Sequence, residues 1–433
     1  MKLHTAEKFC RSLPEIPGRS QLLSLRFSRL IAETECRLKI KIPTEIPLVI
    51  VGSGAEYAAS IVNAAIDPGN TGTVAMINTA DNIPLNETVL VAGKPVSGDD
   101  AAKTVAAIRT AAKKLCVDDP ELYSELTRFE VRFLTSLCLC AESGTVYTVI
   151  RMDTPMLRRE YAAVLPRPAM VLITGVTAAD ISSVKAFCGK RTADVVSSPQ
   201  TEETNRAVAS LCADLNCRHN VIAKGQLLTG KISCTGIPFS YRGIEAVART
   251  CFTSLAGVAA AAASSLKILS AVIPGLTAER ISEAVSSVSG DPYGNIISLK
   301  PPVVCRTGSA FNIGRDSFLA SDLEDIRNFF GAELVIVTDS DNEGNAVSGL
   351  HPDRFTGAKK NADRIIVLNK NGTDHMTPEK IIEELFGEND ENNNGNGKKR
   401  FCLAVLGEKS IAERFLRAAD ASPEPYRKRT KQE

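Results

Sequence analysis

The segment that most constrains the fold is IPLVIVGSGAEYAASIVNAAI, residues 46–66. An apolar strand leads directly into Gly52-Ser53-Gly54, and a run of small residues at helical spacing follows. This is the local form of a phosphate-binding loop, in which backbone N–H groups at a helix N-terminus face an anion. Such a loop ordinarily carries a Lys for the phosphates and a Ser or Thr for Mg²⁺, but here those positions are Glu56 and Ala58.

Further strands and helices alternate on both sides of this unit. Short apolar runs predict strands, and longer segments with apolar residues at helical spacing predict helices. The predicted strands are 73–78, 145–150, 169–175 and 192–196, and the predicted helices include 96–115 and 128–143. Strands separated by helices of this length favour a doubly wound, mostly parallel sheet.

The pattern restarts near residue 298 and predicts a second, smaller α/β domain. The linker is SGDPYGN, residues 289–295, because Gly, Pro and Asp are concentrated there. We therefore predict a large domain over 1–290, a smaller one over 298–420, a low-complexity loop at 387–400 and a flexible tail at 421–433.

Composition excludes several classes of function. The 51 basic and 50 acidic residues give a formal charge of +1, so the sequence offers no broad surface for nucleic acid or anionic lipid. It contains no charge-free apolar run of the roughly 20 residues that a membrane span needs. The N-terminus has no apolar core of a signal peptide. These features predict a cytoplasmic protein, with a mitochondrial transit peptide as the alternative because basic residues predominate in the first 20.

The cysteines and histidines do not form a metal framework in the sequence. The 12 cysteines include no CxxC pair, and the four histidines stand at no ligand spacing from one another. In a protein that is not exported, such cysteines are reduced thiols that pack as small apolar side chains.

The order of these features resembles the folylpolyglutamate synthase/dihydrofolate synthase family, relatives of the Mur ligases. The resemblance extends over about residues 5–420 and depends on collinear order rather than on any single motif. The segments that carry it are LNETVLVAGKPVSGDDAAKTV, LTRFEVRFLTSLCLCAES, ISSVKAFCG, VVSSPQTEETNRAV, PVVCRTGSAFN and FCLAVLGEKSIAERFL. The implied fold is Mur-ligase-like: a large ATPase-type α/β domain followed by a smaller Rossmann-like C-terminal domain.

The implied activity is ATP-dependent ligation, in which a folate carboxylate is phosphorylated and the acyl phosphate is attacked by the amino group of glutamate. The cofactors of such a reaction are ATP and Mg²⁺, and its chemistry depends on positioning and on cations that spread the phosphate charge. The resemblance also assigns a pterin-facing role to residues 78–88, where Thr88 replaces the family's Arg. It places the start of a helix within YRGIEAVART, residues 241–250.

Several positions in the first domain carry the implied chemistry. Gly52, Ser53 and Gly54 are the candidate phosphate-binding residues, and Lys185 matches a family Lys that is carbamylated to hold a second Mg²⁺. The family's acidic metal ligand appears here as Arg151.

Asp153, two residues further on, is the candidate substitute metal ligand. Residues two apart on a strand share a face, so an Arg151–Asp153 ion pair is the other interpretation. Asp180 remains from the family's Asp-His pair and is also a candidate helix N-cap.

In the second domain, Asn312 is kept from the family's Asp-Gly-Ala-His-Asn strand end, and Arg315 lies close enough in sequence to meet a phosphate. The Asp and His of that motif are replaced by Gly308 and Phe311, which cannot make the same hydrogen bonds.

Three hypotheses for function remain open at this point. In the first, the chain is a folylpolyglutamate-synthase-like protein with lost or strongly reduced catalysis that binds or regulates a partner. In the second, it is a divergent working ligase in which Lys185, Asp153 or Arg315 has taken over the missing roles. In the third, the cleft between its domains binds a folate or another anionic small molecule, held by the N–H groups of the Gly52 loop.

Overall fold

The structure is a computed structural model in which two compact units are distinguished. The first comprises Met1–Gln226, Tyr241–Ile244 and Gly257–Val285, and the second comprises Leu227–Ser240, Glu245–Ala256 and Ser286–Glu433. The residues described are 1–15, 23–42, 46–69, 71–80, 83–118, 120, 126–159, 161, 164–165, 167–189, 192–223, 236–250, 252–288, 303–307, 325, 328, 333–340, 364–369, 377, 379–381, 383 and 400–406.

An eight-stranded sheet organises the first unit. Its strands are β1 (Ile46–Val51), β2 (Val74–Asn78), β3 (Val89–Val91), β4 (Lys94–Pro95), β5 (Tyr147–Met152), β6 (Pro168–Ile173), β7 (Asp194–Ser197) and β8 (Arg218–Val221). The spatial order is β4-β3-β2-β5-β1-β6-β7-β8, and only the β2–β3 and β3–β4 pairs are antiparallel. The predicted doubly wound, mostly parallel sheet is confirmed.

The described helices lie before, between and after these strands. They are α1 (Leu3–Arg11), α2 (Leu23–Leu38), α3 (Ala55–Ile66), α4 (Gly98–Asp118), α5 (Arg128–Glu142), α6 (Ile181–Phe187), α7 (Glu202–Leu215), α8 (Thr253–Leu269) and α9 (Ala278–Ser287). None of them combines the length and apolarity needed to cross a bilayer.

The core is centred on β1 and α3. The four residues from Leu48 to Val51 are each at most 3% exposed, as expected for a strand that lies between two parallel neighbours and is covered on both faces. Helix α3 is buried along most of its length because alanines alternate with Ile61 and Val62, which allows the helix to pack closely. This packing fixes the position of the loop that joins β1 to α3.

A two-stranded hairpin follows, formed by β9 (Ile237–Tyr241) and β10 (Ile244–Ala248). Arg242 and Gly243 have φ values of 50° and 77°, the conformation of a two-residue type I′ turn. Burial alternates along β10, as a strand requires. The helix start that the resemblance placed here is therefore wrong, because the turn and the period of two both specify a hairpin.

A four-stranded parallel sheet lies in the second unit. Its strands are β11 (Val303–Thr307), β12 (Glu333–Ser340), β13 (Arg364–Asn369) and β14 (Arg400–Leu406), in the spatial order β11-β14-β12-β13. Val335 and Val337, on one face of β12, are fully buried. The second sheet confirms that the strand pattern restarts after residue 298, whereas the domain boundaries at 290 and 298 stay predictions.

Candidate functional site at the Gly52 loop

The Gly52 loop lies at the carboxyl end of β1, with β5 on one side and β6 on the other. After β1 the chain crosses to β2 on the β5 side, whereas after β6 it crosses to β7 on the opposite side. The point where successive connections diverge is where open α/β sheets bind ligands. The loop therefore occupies the expected place for a nucleotide site.

Three backbone N–H groups of this loop donate to protein carbonyl groups. Gly52 N donates to Met152 O at 2.9 Å, Ser53 N donates to Gly175 O at 2.8 Å, and Ala55 N donates to Gly52 O at 3.1 Å. In a phosphate-binding loop such N–H groups point at the anion. Here they join the loop to β5 and to the segment after β6.

The backbones of Gly52 and Gly175 approach each other closely. Gly52 has a φ of +108°, and a Cβ at this residue would lie 2.4 Å from Gly175 O. Thr174, the preceding residue, donates both its N–H and its hydroxyl to Val51 O, at 2.9 and 3.0 Å. Hydrogen bonds thus join the carboxyl ends of β1 and β6, the position at which an open α/β sheet of this strand order ordinarily binds its ligand.

Side chains surround the loop as well. Ser53 Oγ lies 3.4 Å from Thr154 Oγ1, and Gln200 Nε2 donates to Thr174 O at 2.6 Å. The sequence analysis did not single out Thr154 or Gln200. Gln200 lies in the Pro-Gln segment that carried the resemblance, so that motif was the available indication of its place beside the loop.

Glu56, Arg151 and Asp153 form a charged cluster beside the loop. Arg151 Nη2 lies 2.9 Å from Glu56 Oε2 and 3.0 Å from Asp153 Oδ2, and Arg151 Nε donates to Asp153 Oδ1 at 3.3 Å. The Arg151 side chain is 10% exposed. Glu56 Oε2 is buried and its contact with the guanidinium is not aligned as a hydrogen bond. The predicted Arg151–Asp153 ion pair is confirmed, and Glu56 is its additional member.

This arrangement does not fit a magnesium ion. Asp153, the candidate ligand, is held by a guanidinium, and Ala58 is fully buried and has no ligand atom. Among the described residues, no group of three or more His, Cys, Asp and Glu side chains is arranged to hold a metal. Mg²⁺ requires near-octahedral oxygen ligands, and an adjacent cation opposes its binding.

Lys185 and Asp180 take part in contacts of their own. The Lys185 ammonium, on α6, forms an ion pair with Asp214 on α7, and both side chains are about half exposed, at 52% and 51%. Asp180 Oδ2 accepts hydrogen bonds from Thr177 N and Oγ1, at 2.9 and 2.7 Å. Asp180 therefore closes a capping box with Thr177 over the 3-10 turn Ala178–Asp180. It also occupies the N-cap position of α6, as predicted, but its side chain caps no N–H group of that helix.

The candidate phosphate ligands of the second domain, Asn312 and Arg315, lie outside the described residues, as do Gly308 and Phe311. Their proposed contacts with a nucleotide stay predictions.

Side chains of α5 hydrogen-bond to the segment 78–88, to which the resemblance assigned the pterin-facing role. Arg132 Nη2 donates to Ala80 O and Ile83 O at 3.0 and 2.9 Å, and Ser136 Oγ donates to Thr88 Oγ1 at 3.0 Å. The cavity beside these groups has a volume of about 10 Å³. A cavity of that size holds about one water molecule, so Thr88 lies in a packed region.

Comparison with known proteins gives a fold. No protein-family model and no curated protein sequence matches the chain. The folylpolyglutamate synthetase of Lactobacillus casei is 13% identical with a TM-score of 0.65, over 96% of this chain and 99% of that one. A folylpolyglutamate synthase complex with AMPPCP and folate is 13% identical with a TM-score of 0.66, over 96% of this chain and 99% of that one. The Mycobacterium tuberculosis folylpolyglutamate synthase, complexed with ADP and AMPPCP, is 14% identical with a TM-score of 0.59, over 97% of this chain and 98% of that one.

Each of these alignments covers nearly the full length of this chain and of the solved structure. The chain therefore has the Mur-ligase-like α/β fold of the folylpolyglutamate synthases, and the fold class predicted from the sequence is confirmed.

Proposed function

We propose that this chain is a folylpolyglutamate-synthase-like protein whose Gly52 loop no longer binds MgATP, so that ATP-dependent ligation is lost or strongly reduced. The observation that carries the proposal is the loop itself. The N–H groups of Gly52, Ser53 and Ala55 donate to Met152 O, Gly175 O and Gly52 O. The position of the phosphate-binding Lys holds Glu56.

Electrostatics supports this assignment. A carboxylate in the first turn of α3 places negative charge at the helix end that an incoming phosphate would otherwise use. Two like charges about 4 Å apart repel by about 1–4 kcal/mol at solvated or partly solvated sites. The guanidinium of Arg151 does not offset this for a phosphate, because it is already placed between Glu56 and Asp153.

The cluster also explains how the fold persists without the chemistry. The resemblance places a Lys on the loop and a Glu on β5, whereas this chain has Glu56 on the loop and Arg151 on β5. The two elements therefore still carry opposite charges, with the signs exchanged. An attraction between β5 and α3 is kept, while the cation for phosphate and the carboxylate for Mg²⁺ are both gone.

The remaining role is that of a cytoplasmic binding or regulatory protein. Its ligand is a folate or another anionic small molecule, held by groups other than the N–H groups of Gly52 and Ser53, which donate within the protein. A protein partner is the alternative. The divergent-ligase hypothesis requires Lys185, Asp153 or Arg315 to act on nucleotide or metal. Lys185 and Asp153 are engaged in ion pairs, with Asp214 and Arg151 respectively, and Arg315 lies outside the described residues.

The test is calorimetric titration with MgATP of the unmodified protein, of Glu56→Lys and of the exchanged pair Glu56→Lys/Arg151→Glu. We expect no saturable heat from the unmodified protein. Glu56→Lys alone places two cations together, whereas the exchanged pair restores a loop cation with its partner and is the variant expected to gain affinity. Lys185→Gln is the matched control, since that side chain is half exposed and paired elsewhere.

Saturable MgATP binding by the unmodified protein, or ATP hydrolysis stoichiometric with glutamate addition to a folate, would overturn the proposal. If MgATP binds only to the exchanged-pair variant, the charges of residues 56 and 151 are the reason that the unmodified protein does not bind it. If neither variant binds, the hydrogen bonds that close the loop are sufficient to exclude the phosphate.

A further inference from the structure

The C-terminus of α7 brings two cysteines together through its cap. The sequence there is CADLNC, from Cys212 to Cys217. Asn216 is left-handed with a φ of 52°, Cys217 N donates to Cys212 O at 3.0 Å, and Asn216 N donates to Ala213 O at 3.2 Å. This pair of hydrogen bonds defines a Schellman motif.

A Schellman motif places the side chain just beyond the cap against the side chain one turn earlier, and this contact is ordinarily apolar. Here the two residues are Cys217 and Cys212. Both are free thiols, and the Cys217 N–H donates to Cys212 O at 3.0 Å. The cap therefore presents two adjacent thiols whose relative position is set by backbone hydrogen bonds.

A third cysteine lies nearby. Cys188 follows the end of α6 and is 5% exposed, and burial, followed by the charge of a Cys217 thiolate, raises the pKa of its thiol. Cys212 is 3% exposed, whereas Cys217 is half-buried. Among the described residues no metal-binding cluster includes these groups. Adjacent thiols can form a sulfur–sulfur bond by exchange with a disulfide.

We propose that Cys212 and Cys217 are a redox-active dithiol that forms a reversible disulfide by exchange with a low-molecular-weight disulfide. The Cys217 thiolate attacks one sulfur of R–S–S–R, which forms a mixed disulfide and releases R–S⁻. Cys212 then gives up its proton and attacks Cys217 Sγ, which releases the second R–S⁻. The protein loses two electrons and two protons, and the small disulfide becomes two thiols.

The roles of the two cysteines follow from their surroundings. Cys217 is the more exposed and is reached first by a soluble disulfide. Desolvation, followed by the neighbouring Cys217, raises the pKa of the Cys212 thiol, so Cys212 stays protonated until the mixed disulfide has formed. Burial likewise raises the pKa of Cys188 to about 12, which keeps that thiol out of the first step.

The experiment equilibrates the folded full chain with glutathione buffers of increasing oxidised fraction, traps free thiols by alkylation, and maps the peptides by mass spectrometry. We expect a Cys212–Cys217 bridge that dithiothreitol reverses. Cys188→Ser should keep the bridge, Cys212→Ser should accumulate glutathione on Cys217, and Cys217→Ser should leave Cys212 as an alkylated thiol.

The same titration in denaturant provides the second measurement. Because the cap holds the thiols together, the folded chain should form the bridge at an oxidised fraction about tenfold lower than the unfolded chain does. Equal formation in both states, full alkylation of both thiols across the series, or a bridge to Cys188 instead would overturn the proposal.

Discussion

Two helix N-termini in this molecule carry a glutamate that is paired with an arginine from another element. At α5, Glu130 is 1% exposed and accepts hydrogen bonds from Arg26 Nε and Nη2 at 3.1 and 2.6 Å. It also accepts from Thr127 N and Oγ1 at 2.8 and 2.7 Å, which completes a capping box. The four hydrogen bonds divide evenly, two to each oxygen of the carboxylate.

At α3, the same types of residue make a looser contact. The Glu56 side chain is 23% exposed, its 2.9 Å contact with Arg151 is not aligned as a hydrogen bond, and the N-cap residue Gly54 provides no side-chain cap. The first pair fixes a helix in the core, whereas the second places opposite charges on α3 and β5 beside the Gly52 loop. The comparison shows that opposite charge alone does not identify a structural ion pair.

The largest effect is expected from Arg26→Met. This substitution leaves the Glu130 carboxylate buried without its cation, and breaking a buried pair in this way costs about 3–5 kcal/mol. The measurement is the free energy of unfolding from urea denaturation. The double variant Arg26→Met/Glu130→Leu should recover part of that loss, because no charge is then buried. A loss below about 1 kcal/mol in the single variant would remove the distinction between the two helix ends.

An intermediate effect is expected at the other end of α3, where Asp67 is buried. Its carboxylate accepts hydrogen bonds from Thr71 N and Oγ1, Gly72 N and Thr73 N, at 2.7, 2.8, 2.9 and 3.2 Å. Desolvation raises the pKa of Asp67, but these hydrogen bonds together outweigh it and lower the pKa below its ordinary value. We expect Asp67→Asn to cost about 1–3 kcal/mol at neutral pH.

The pH dependence supplies the check. Because the pKa of Asp67 is lower in the folded than in the unfolded chain, its stabilisation is fully present above the unfolded value of about 3.9 and is lost as pH falls through the folded value. The difference in unfolding free energy between wild type and Asp67→Asn should therefore shrink below about pH 4. A difference that stays constant down to pH 2 would show that the carboxylate charge contributes nothing.

Local periodicity predicted five of the eight strands of the first sheet, namely β1, β2, β5, β6 and β7, but not β3, β4 or β8. The segment 128–143 was predicted as a helix and α5 is Arg128–Glu142, and the segment 73–78 was predicted as a strand and β2 is Val74–Asn78. Such patterns depend on neighbours in sequence, so the chain alone is sufficient. The β9–β10 hairpin was missed because the resemblance was preferred to a local indication, the Arg242-Gly243 dipeptide at the turn.

The sequence predicted where the candidate site lies, but not the contacts that its residues make. The glycines of the 52–54 loop and the exchanged residues Glu56 and Arg151 could be read directly from the sequence. Their contact could not, because β1 and β5 are distant in sequence and periodicity does not give the order of strands. The donation of the loop N–H groups to Met152 and Gly175 depends on the same strand order and appears only in three dimensions.

The smallest effect is expected from Arg151→Met, the substitution that matches Arg26→Met. Glu56 and Asp153 are 23% and 26% exposed, so water can solvate both carboxylates once the guanidinium is removed. A partly solvated ion pair contributes about 0–1 kcal/mol, and we expect a loss within that range by urea denaturation. A loss as large as that of Arg26→Met would mean that the Glu56 cluster holds the fold together, and its charge exchange would then be a stabilising feature rather than the trace of a lost nucleotide site.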